Sequence, residues 1–171
     1  MRRFVAILGI VAILAITAGP VAATGDQGVP FRGTLWGNEV TFDPAIPAGR
    51  CVEMAGTADV LTTFKVSGHA THLGWVDVVA EHCSDFDTVT YGDGRLTITA
   101  ANGDILRGTY TNGESTSPPP ETGFRDEFTF IDGGTGRFAF ASGGGTEVGA
   151  FNVVTFDSWV YMEGVISYDK D

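Results

Sequence analysis

Short β-strand patterns follow one another along almost the whole chain, and this regularity constrains the fold more than any other feature. Apolar and β-branched runs recur about every 8 to 14 residues, separated by Gly, Asn, Asp and Pro. No window of about 11 residues carries the apolar stripe of an amphipathic helix. The chain is therefore predicted to be all-β.

Nine strands are expected, joined by links of hairpin length. They cover residues 30–42, 51–62, 64–81, 95–101, 104–111, 124–131, 137–142, 146–156 and 159–168. Eight or nine antiparallel strands with short links suit a closed barrel, because closure removes the exposed edges of an open sheet. We expect a single antiparallel β-barrel of eight to nine strands. The longest irregular stretch, residues 112–123, contains three consecutive prolines and is expected to be an exposed loop, either a flap near the barrel mouth or a plain connection.

The first 23 residues have the pattern of a secretory signal peptide. Arg2 and Arg3 precede an apolar stretch over residues 4–18, and Ala23 ends a small-residue cleavage site. The apolar stretch is shorter than the about 20 residues that a transmembrane helix needs. We expect a signal peptide at residues 1–23, a linker at 24–28, and one secreted or periplasmic barrel domain at 29–171. An N-terminal anchor that is not cleaved is the alternative.

The chain that remains after cleavage is strongly acidic. Loss of Arg2 and Arg3 leaves 8 basic against 21 acidic residues, a net charge of −13. Nucleic acids and anionic membranes bind basic patches, so we expect neither as a partner. Because the acidic residues are spread along the chain, they indicate a solvated surface, with a cation-binding or salt-adapted surface as the alternative.

The two cysteines, Cys51 and Cys83, are predicted to form a disulfide, because an exported chain leaves the reducing cytosol. The bond would close a loop of about 31 residues, for which the chain-entropy treatment gives about 3 to 4 kcal/mol. Two thiols, or thiolate metal ligands together with His82, are the alternatives. Cysteine metal sites use closely spaced pairs, and residues three apart on a strand, such as His69 and His72, point to opposite faces. We therefore expect no metal and no cofactor.

Polar side chains fall on faces that are predicted to point into the barrel. His72 alternates with apolar residues along 64–81, and Asp126 alternates with Phe128 and Phe130. These four residues, together with Arg107, are the candidate ligand-binding residues, and no catalytic residue is assigned. For the polar members, a buried ion pair or a satisfied core histidine is the interpretation that we favour over ligand binding.

The inward direction of Arg107 depends on one turn. Asn102 and Gly103 favour a two-residue type I′ hairpin, which pairs Ala101 with Asp104 and turns Arg107 towards the apolar face. A three-residue bulged loop would reverse that orientation.

Three sequence segments resemble one known superfamily. They are Ile-Asp-Gly-Gly-Thr-Gly-Arg-Phe-Ala-Phe-Ala-Ser-Gly at residues 131–143, Gly-His-Ala-Thr-His-Leu-Gly at 68–74, and Gly-Arg-Leu-Thr-Ile-Thr-Ala-Ala-Asn-Gly-Asp at 94–104. The first is similar to the Gly-Gly-Thr-Gly-(Arg/Lys)-Phe turn of plant dirigent proteins and of the wider allene oxide cyclase barrel-like superfamily. The second and third segments resemble its bacterial secreted members, where they occur in the same order along the chain, and those members mostly have no assigned reaction. The resemblance covers about residues 50–168.

The resemblance implies a barrel with an apolar lumen in which polar groups bind or protonate an apolar, oxygenated molecule. The plant relatives form trimers, which implies a homo-oligomer, and the predicted outward aromatics Trp36, Trp75, Trp159 and Tyr161 would suit such a contact. We expect binding of a small apolar or phenolic ligand in the lumen, or a structural extracytoplasmic role. A cyclase- or dirigent-type enzyme that controls product geometry by confinement is the alternative, and whether the protein is an enzyme stays open.

One structural feature separates these functions. A lumen filled by phenylalanines would favour the structural role, and the candidates are Phe124, Phe128, Phe130, Phe138 and Phe140. An open cavity of a few hundred Å³ into which His72, Arg107 and Asp126 converge would favour binding or catalysis.

Overall fold

The computed structural model describes residues 28–43, 50–53, 60–86, 88 and 90–168. The predicted signal peptide at residues 1–23, and all of the predicted linker except Gly28, lie outside them. These described residues form eight strands, β1 (Val29–Asp43), β2 (Val60–Ala70), β3 (Gly74–Asp85), β4 (Thr90–Thr99), β5 (Ile105–Ser115), β6 (Glu121–Ile131), β7 (Ser142–Asn152) and β8 (Ser158–Ser167). The same part of the chain contains two short 3-10 helices, Arg50–Glu53 and Gly136–Phe138.

The strands form one closed antiparallel barrel. Each strand pairs with the next in the chain, and β8 pairs with β1 to complete the ring. The alternation of small or apolar with polar residues along each strand places one set of side chains in the lumen and the other in solvent. The predicted all-β antiparallel barrel is confirmed, with eight strands. No helix in the described residues is long and apolar enough to cross a membrane.

Three predicted strands are wrong, wholly or in part. In the run at 51–62, residues 51–53 belong to a 3-10 helix and only residues 60–62 are described as strand. The run at 64–81 is the end of β2, a turn at residues 71–73, and the start of β3, and the run at 137–142 is a 3-10 helix followed by a turn. Left-handed backbone lies at His72 and Gly74 within 64–81, and at Gly133 and Gly136 directly before 137–142. Residues in the left-handed conformation allow the chain to reverse its direction. The positions of these reversals were not evident from the composition.

One end of the barrel is filled by aromatic side chains. The Phe31 ring packs edge-on against Phe128 and Phe130, with centroid distances of 5.9 and 5.0 Å. The segment between β6 and β7 lies across this end and buries Phe138 completely. Phe140, which was also predicted to pack inward, is 68% exposed. The segment that contains the Gly-Gly-Thr-Gly turn therefore closes the barrel end with the Phe138 side chain.

The first 3-10 helix is attached to the wall of the barrel by a disulfide. Cys51 is bonded to Cys83 on β3, with 5.3 Å between their Cα atoms, so the predicted disulfide is confirmed. The neighbouring Arg50 side chain is paired with Glu81 and Asp93. A disulfide is typical of proteins that work in an oxidising, extracytoplasmic compartment.

Candidate functional site

The other end of the barrel holds a cavity of about 550 Å³. Its walls are mostly apolar, and the mouth is surrounded by exposed apolar side chains, namely Phe42, Phe86, Val153 and Phe156. Within the stretch predicted as a loop, residues 112–123, strands β5 and β6 extend so that only residues 116–120 connect them. Pro119 of this connection lies at the cavity mouth, which is the position predicted for a flap.

Small side chains occupy part of the cavity wall. Thr62, Ala80 and Ser84 line the cavity, whereas phenylalanines pack together in the opposite half of the lumen. The Thr62 and Ser84 hydroxyls hydrogen-bond each other at 2.6 Å, which satisfies both in an otherwise apolar wall. The lumen is therefore filled at one end and hollow at the other.

Arg107 points away from the lumen, and its predicted inward orientation is wrong. The Ala100 amide donates to the Asp104 carbonyl at 2.8 Å, so the hairpin has a three-residue loop at residues 101–103. The loop pairs Ile98 with Leu106 and turns Leu106 inward. Arg107 is exposed, and its Nε donates to the Gly133 carbonyl oxygen at 2.9 Å.

His72 is also outside the lumen, contrary to its predicted inward orientation. It lies in the turn between β2 and β3 with φ = 68°, and its ring is exposed. Its Nε2 lies 3.0 Å from the Pro30 carbonyl oxygen, and its own carbonyl accepts a hydrogen bond from Arg137. Neither His72 nor Arg107 lines the cavity.

The three remaining predicted residues point inward but separate into two regions. Asp126 lines the cavity, whereas Phe128 and Phe130 belong to the filled end. The alternation predicted for β6 is thus confirmed, although only Asp126 can meet a ligand in the cavity.

A pair of buried carboxyl groups forms the most polar part of the cavity wall. Asp126 on β6 and Glu147 on β7 are directly paired in the sheet and are 4% and 6% exposed. The Tyr91 hydroxyl donates to Asp126 Oδ2 at 2.5 Å. Asp126 Oδ1 is buried without a hydrogen-bond partner among the described residues. A buried acceptor without a partner costs free energy, which a ligand donor could recover.

Burial controls the protonation of this carboxyl pair. It raises the pKa of Asp126, against the opposing effects of its hydrogen bonds with Glu147 and, to a smaller extent, with Tyr91. Burial also raises the pKa of Glu147 well above its usual range, and the neighbouring Asp126 carboxylate adds to this rise. Because two close carboxylates in an apolar wall repel each other, the pair retains a proton above the pH at which an exposed carboxyl would lose it.

His82 and two tyrosines complete the polar wall. His82 Nδ1 and the Tyr110 hydroxyl share a hydrogen bond of 2.9 Å, and the imidazole stacks on Tyr91 with a centroid distance of 4.5 Å. Burial, with a smaller contribution from the Arg50 charge, lowers the pKa of His82 to about 3, so its ring is neutral. Burial likewise raises the pKa of both tyrosines, which keeps their hydroxyls protonated. The wall thus offers neutral hydrogen-bonding groups beside the carboxyl pair.

Glycines make room for both tyrosines. A Cβ atom at Gly94 would collide with the Tyr110 ring, and one at Gly113 with the Tyr91 ring. Glu147, Tyr91 and Tyr110 were not predicted as site residues from the sequence. Glu147 is paired with Asp126 in the sheet, so alternation along β7 could have indicated its inward direction. The glycines at residues 143–145 obscure that alternation in the sequence.

The outer surface carries the predicted aromatic residues. Trp36, Trp75 and Trp159 are each about half exposed, and the first two rings meet edge-on at 5.8 Å. In the described part of the chain, no three His, Cys, Asp or Glu side chains are grouped so that they could hold a metal ion.

Comparison of the chain with protein-family models, curated proteins and solved structures gives no match. The resemblance to the allene oxide cyclase barrel-like superfamily therefore stays a prediction from the sequence motifs. The function has to be inferred from the cavity.

Proposed function

We propose that this protein binds a small apolar molecule in the open half of the barrel, with a polar group of the ligand at Asp126 and Glu147. The observation that carries the proposal is the apolar cavity of about 550 Å³ with two carboxyl groups buried in its wall. Ligand sites are typically concave, largely apolar and about 300 to 1,000 Å³ in volume, with a few convergent polar groups.

The distribution of polarity supports a defined ligand orientation. Exposed phenylalanines surround the mouth, Phe64 and Phe151 pack edge-on along the wall at 5.2 Å, and the carboxyl pair lies deeper. An apolar ligand body gains free energy by leaving water, about 25 cal/mol for each Å² buried. A purely structural barrel would need no such space, because packed interiors are more stable than hollow ones.

A cavity-filling substitution tests the proposal. Ala80 points into the cavity, and Val79 beside it on β3 does not line it. Ala80→Trp should weaken binding of the neutral dye Nile red at least about tenfold, because the indole occupies the ligand volume. Val79→Trp is the matched control and should bind like the wild type in a fluorescence titration. Absence of saturable wild-type binding, or equal binding by both variants, would contradict the proposal.

A second proposed function is a cyclase- or dirigent-type reaction, favoured by the carboxyl pair that retains a proton beside the cavity. Such a protonated carboxyl could act as a general acid on a confined substrate. If Asp126 acts as this acid, the Asp126→Asn variant should still bind the substrate but should no longer convert it. A kinetic assay with a converted substrate would test this.

Export and assembly complete the proposal. The disulfide supports secretion to an oxidising compartment, and the signal-peptide pattern points the same way. The three exposed tryptophans support a homo-oligomer. Size exclusion with light scattering would give the assembly, and a monomeric mass would contradict this part.

A further inference from the structure

The cavity buries acidic groups without any basic side chain to balance them. Among the described residues that line it there is no Lys or Arg, and His82 is a neutral base. Arg50 is occupied with Glu81 and Asp93 at the barrel wall. Asp85, which also lines the cavity, accepts the Thr88 amide at 3.1 Å. A buried carboxylate is normally balanced by a cationic or hydrogen-bonding partner, and no cationic partner faces Asp126 and Glu147 among the described residues that line the cavity.

The described groups near the carboxyl pair do not supply that partner. The Tyr91 hydroxyl donates a hydrogen bond to Asp126 Oδ2, while Asp126 Oδ1 has no hydrogen-bond partner in the part of the chain that the structure describes. Metal ions are not favoured, because the described residues provide no group of three ligands. Asp126 Oδ1 can therefore accept a hydrogen bond from a donor group of a ligand.

The apolar walls favour an organic cation over an inorganic one. Aromatic rings surround the same space, and they belong to Phe64, Tyr91, Tyr110, Phe124 and Phe151. The face of an aromatic ring attracts a cation, most strongly where water is excluded. The overall negative charge of the chain also attracts cations to it from solution.

We propose that the cavity is a binding site for an apolar amine, whose ammonium group donates to Asp126 Oδ1 and Glu147 while its hydrocarbon body fills the apolar half of the cavity. This inference rests on the proposed ligand-binding function and narrows its ligand class. A neutral alcohol of the same shape would donate one uncharged hydrogen bond, which is weaker than a charge-assisted one. A carboxylic acid would bring a further negative charge to the pair.

Calorimetry with three probes on one skeleton tests this at pH 7. The probes are 2-naphthylmethylamine, 2-naphthalenemethanol and 2-naphthoic acid. We expect the amine to bind the wild-type protein at least about tenfold more tightly than the alcohol, and the acid more weakly than either.

Variants assign the preference to the carboxyl pair. Asp126→Asn and Glu147→Gln keep the side-chain shape, and each should reduce the amine-to-alcohol affinity ratio towards one, because the charge-assisted hydrogen bond to the ammonium group is lost. Ser84→Ala removes a polar group from the same cavity without changing charge and should keep the ratio.

The outcomes separate this inference from the function on which it rests. Equal wild-type affinity for amine and alcohol would overturn the amine assignment and leave ligand binding in place. Amine preference retained in both carboxyl variants would also overturn it. Failure of all three probes and of Nile red to bind would overturn the proposed function itself. The wild-type comparison carries the test even if one variant does not fold.

Discussion

Single residues decide what this barrel can bind. The cavity wall contains ionisable groups whose protonation burial has shifted, upward in pKa for Asp126 and Glu147 and downward for His82. Such pKa shifts are concentrated at functional sites, where burial and neighbouring charges adjust the pKa to the chemistry of the site. They also make stability depend on pH, in opposite directions for the acids and for the imidazole.

Glu147→Gln should stabilise the protein at alkaline pH. A carboxyl with a raised folded-state pKa contributes stability that is present below its unfolded pKa and is lost as pH rises through the folded pKa. Urea unfolding should therefore give the variant a higher free energy of unfolding than the wild type at pH 8, by about 1 kcal/mol or more, with the gain shrinking towards pH 4. Glu127→Gln, on the exposed face of β6, should change little. A gain that does not depend on pH would contradict this explanation.

His82 should destabilise the fold on acidification. Its folded pKa of about 3 lies below the unfolded value of about 6.5, so its contribution is fully present above pH 6.5 and is lost as pH falls towards 3. Relative to His82→Gln, the wild type should lose about 2 kcal/mol of unfolding free energy between pH 6.5 and pH 5. The exposed His69→Gln variant provides the control in the same urea titrations. Parallel pH profiles of wild type and His82→Gln would argue against a buried neutral imidazole.

At the scale of elements, alternation along strands was predictable and the connections were not. The inward face of β6, with Asp126 and Phe128, follows directly from period-two alternation. One additional residue in the loop at 101–103 reversed the prediction for Arg107, because a register shift of one residue exchanges the two faces of a strand. His72 was misplaced for a related reason, since a left-handed turn ended β2 inside a run that reads as one strand.

The candidate site was less predictable than the fold. Its polar wall combines residues from β3, β4, β5, β6 and β7. Asp126 could be found because its own strand alternates clearly, whereas Glu147 follows three glycines that carry no apolar signal. Tyr91 and Asp126 lie on strands whose pairing is shifted by bulges, one between β3 and β4 and one between β5 and β6. These shifts depend on pairing between strands, so the local sequence does not reveal them.

The segment between β6 and β7 should contribute stability through one phenylalanine. Phe138 is completely buried at the barrel end, whereas Phe140, two residues later, is largely exposed. Phe138→Ala should lower the free energy of unfolding by about 3 to 5 kcal/mol, because it leaves a cavity in the core. Phe140→Ala is the matched control, with an expected change within about 0.5 kcal/mol. Denaturant unfolding measures both, and similar losses in the two variants would contradict the sealing role of Phe138.

At the scale of the whole molecule, the barrel separates stability from binding. One half is packed with aromatic rings, and the other half is hollow, apolar and open at its mouth. The closed ring of eight strands keeps the hollow half in shape, since every strand is paired on both sides. The disulfide reinforces this half, because Cys83 directly follows the cavity residue His82.

Removal of the disulfide should lower global stability. The Cys51→Ser, Cys83→Ser double variant releases a loop closed between residues 32 apart. Chain entropy predicts a loss of about 3 to 4 kcal/mol, measurable by urea unfolding against the oxidised wild type. Wild type unfolded in the presence of a reductant should show the same loss. A decrease below about 1 kcal/mol would mean that the cross-link adds little constraint to the unfolded chain.

The location of a bound ligand tests the central proposal most directly. Methyl NMR spectra recorded during titration with 2-naphthylmethylamine report on the lumen and on the outer surface at the same time. We expect shift changes at the methyl groups that line the cavity, those of Leu35, Val66, Val78, Leu96 and Val160. The methyl groups of Val79, outside the cavity, and of Ile166, in the filled end, should stay unchanged. Saturable changes confined to the outer surface, or no change at the cavity methyls, would contradict ligand binding in the lumen.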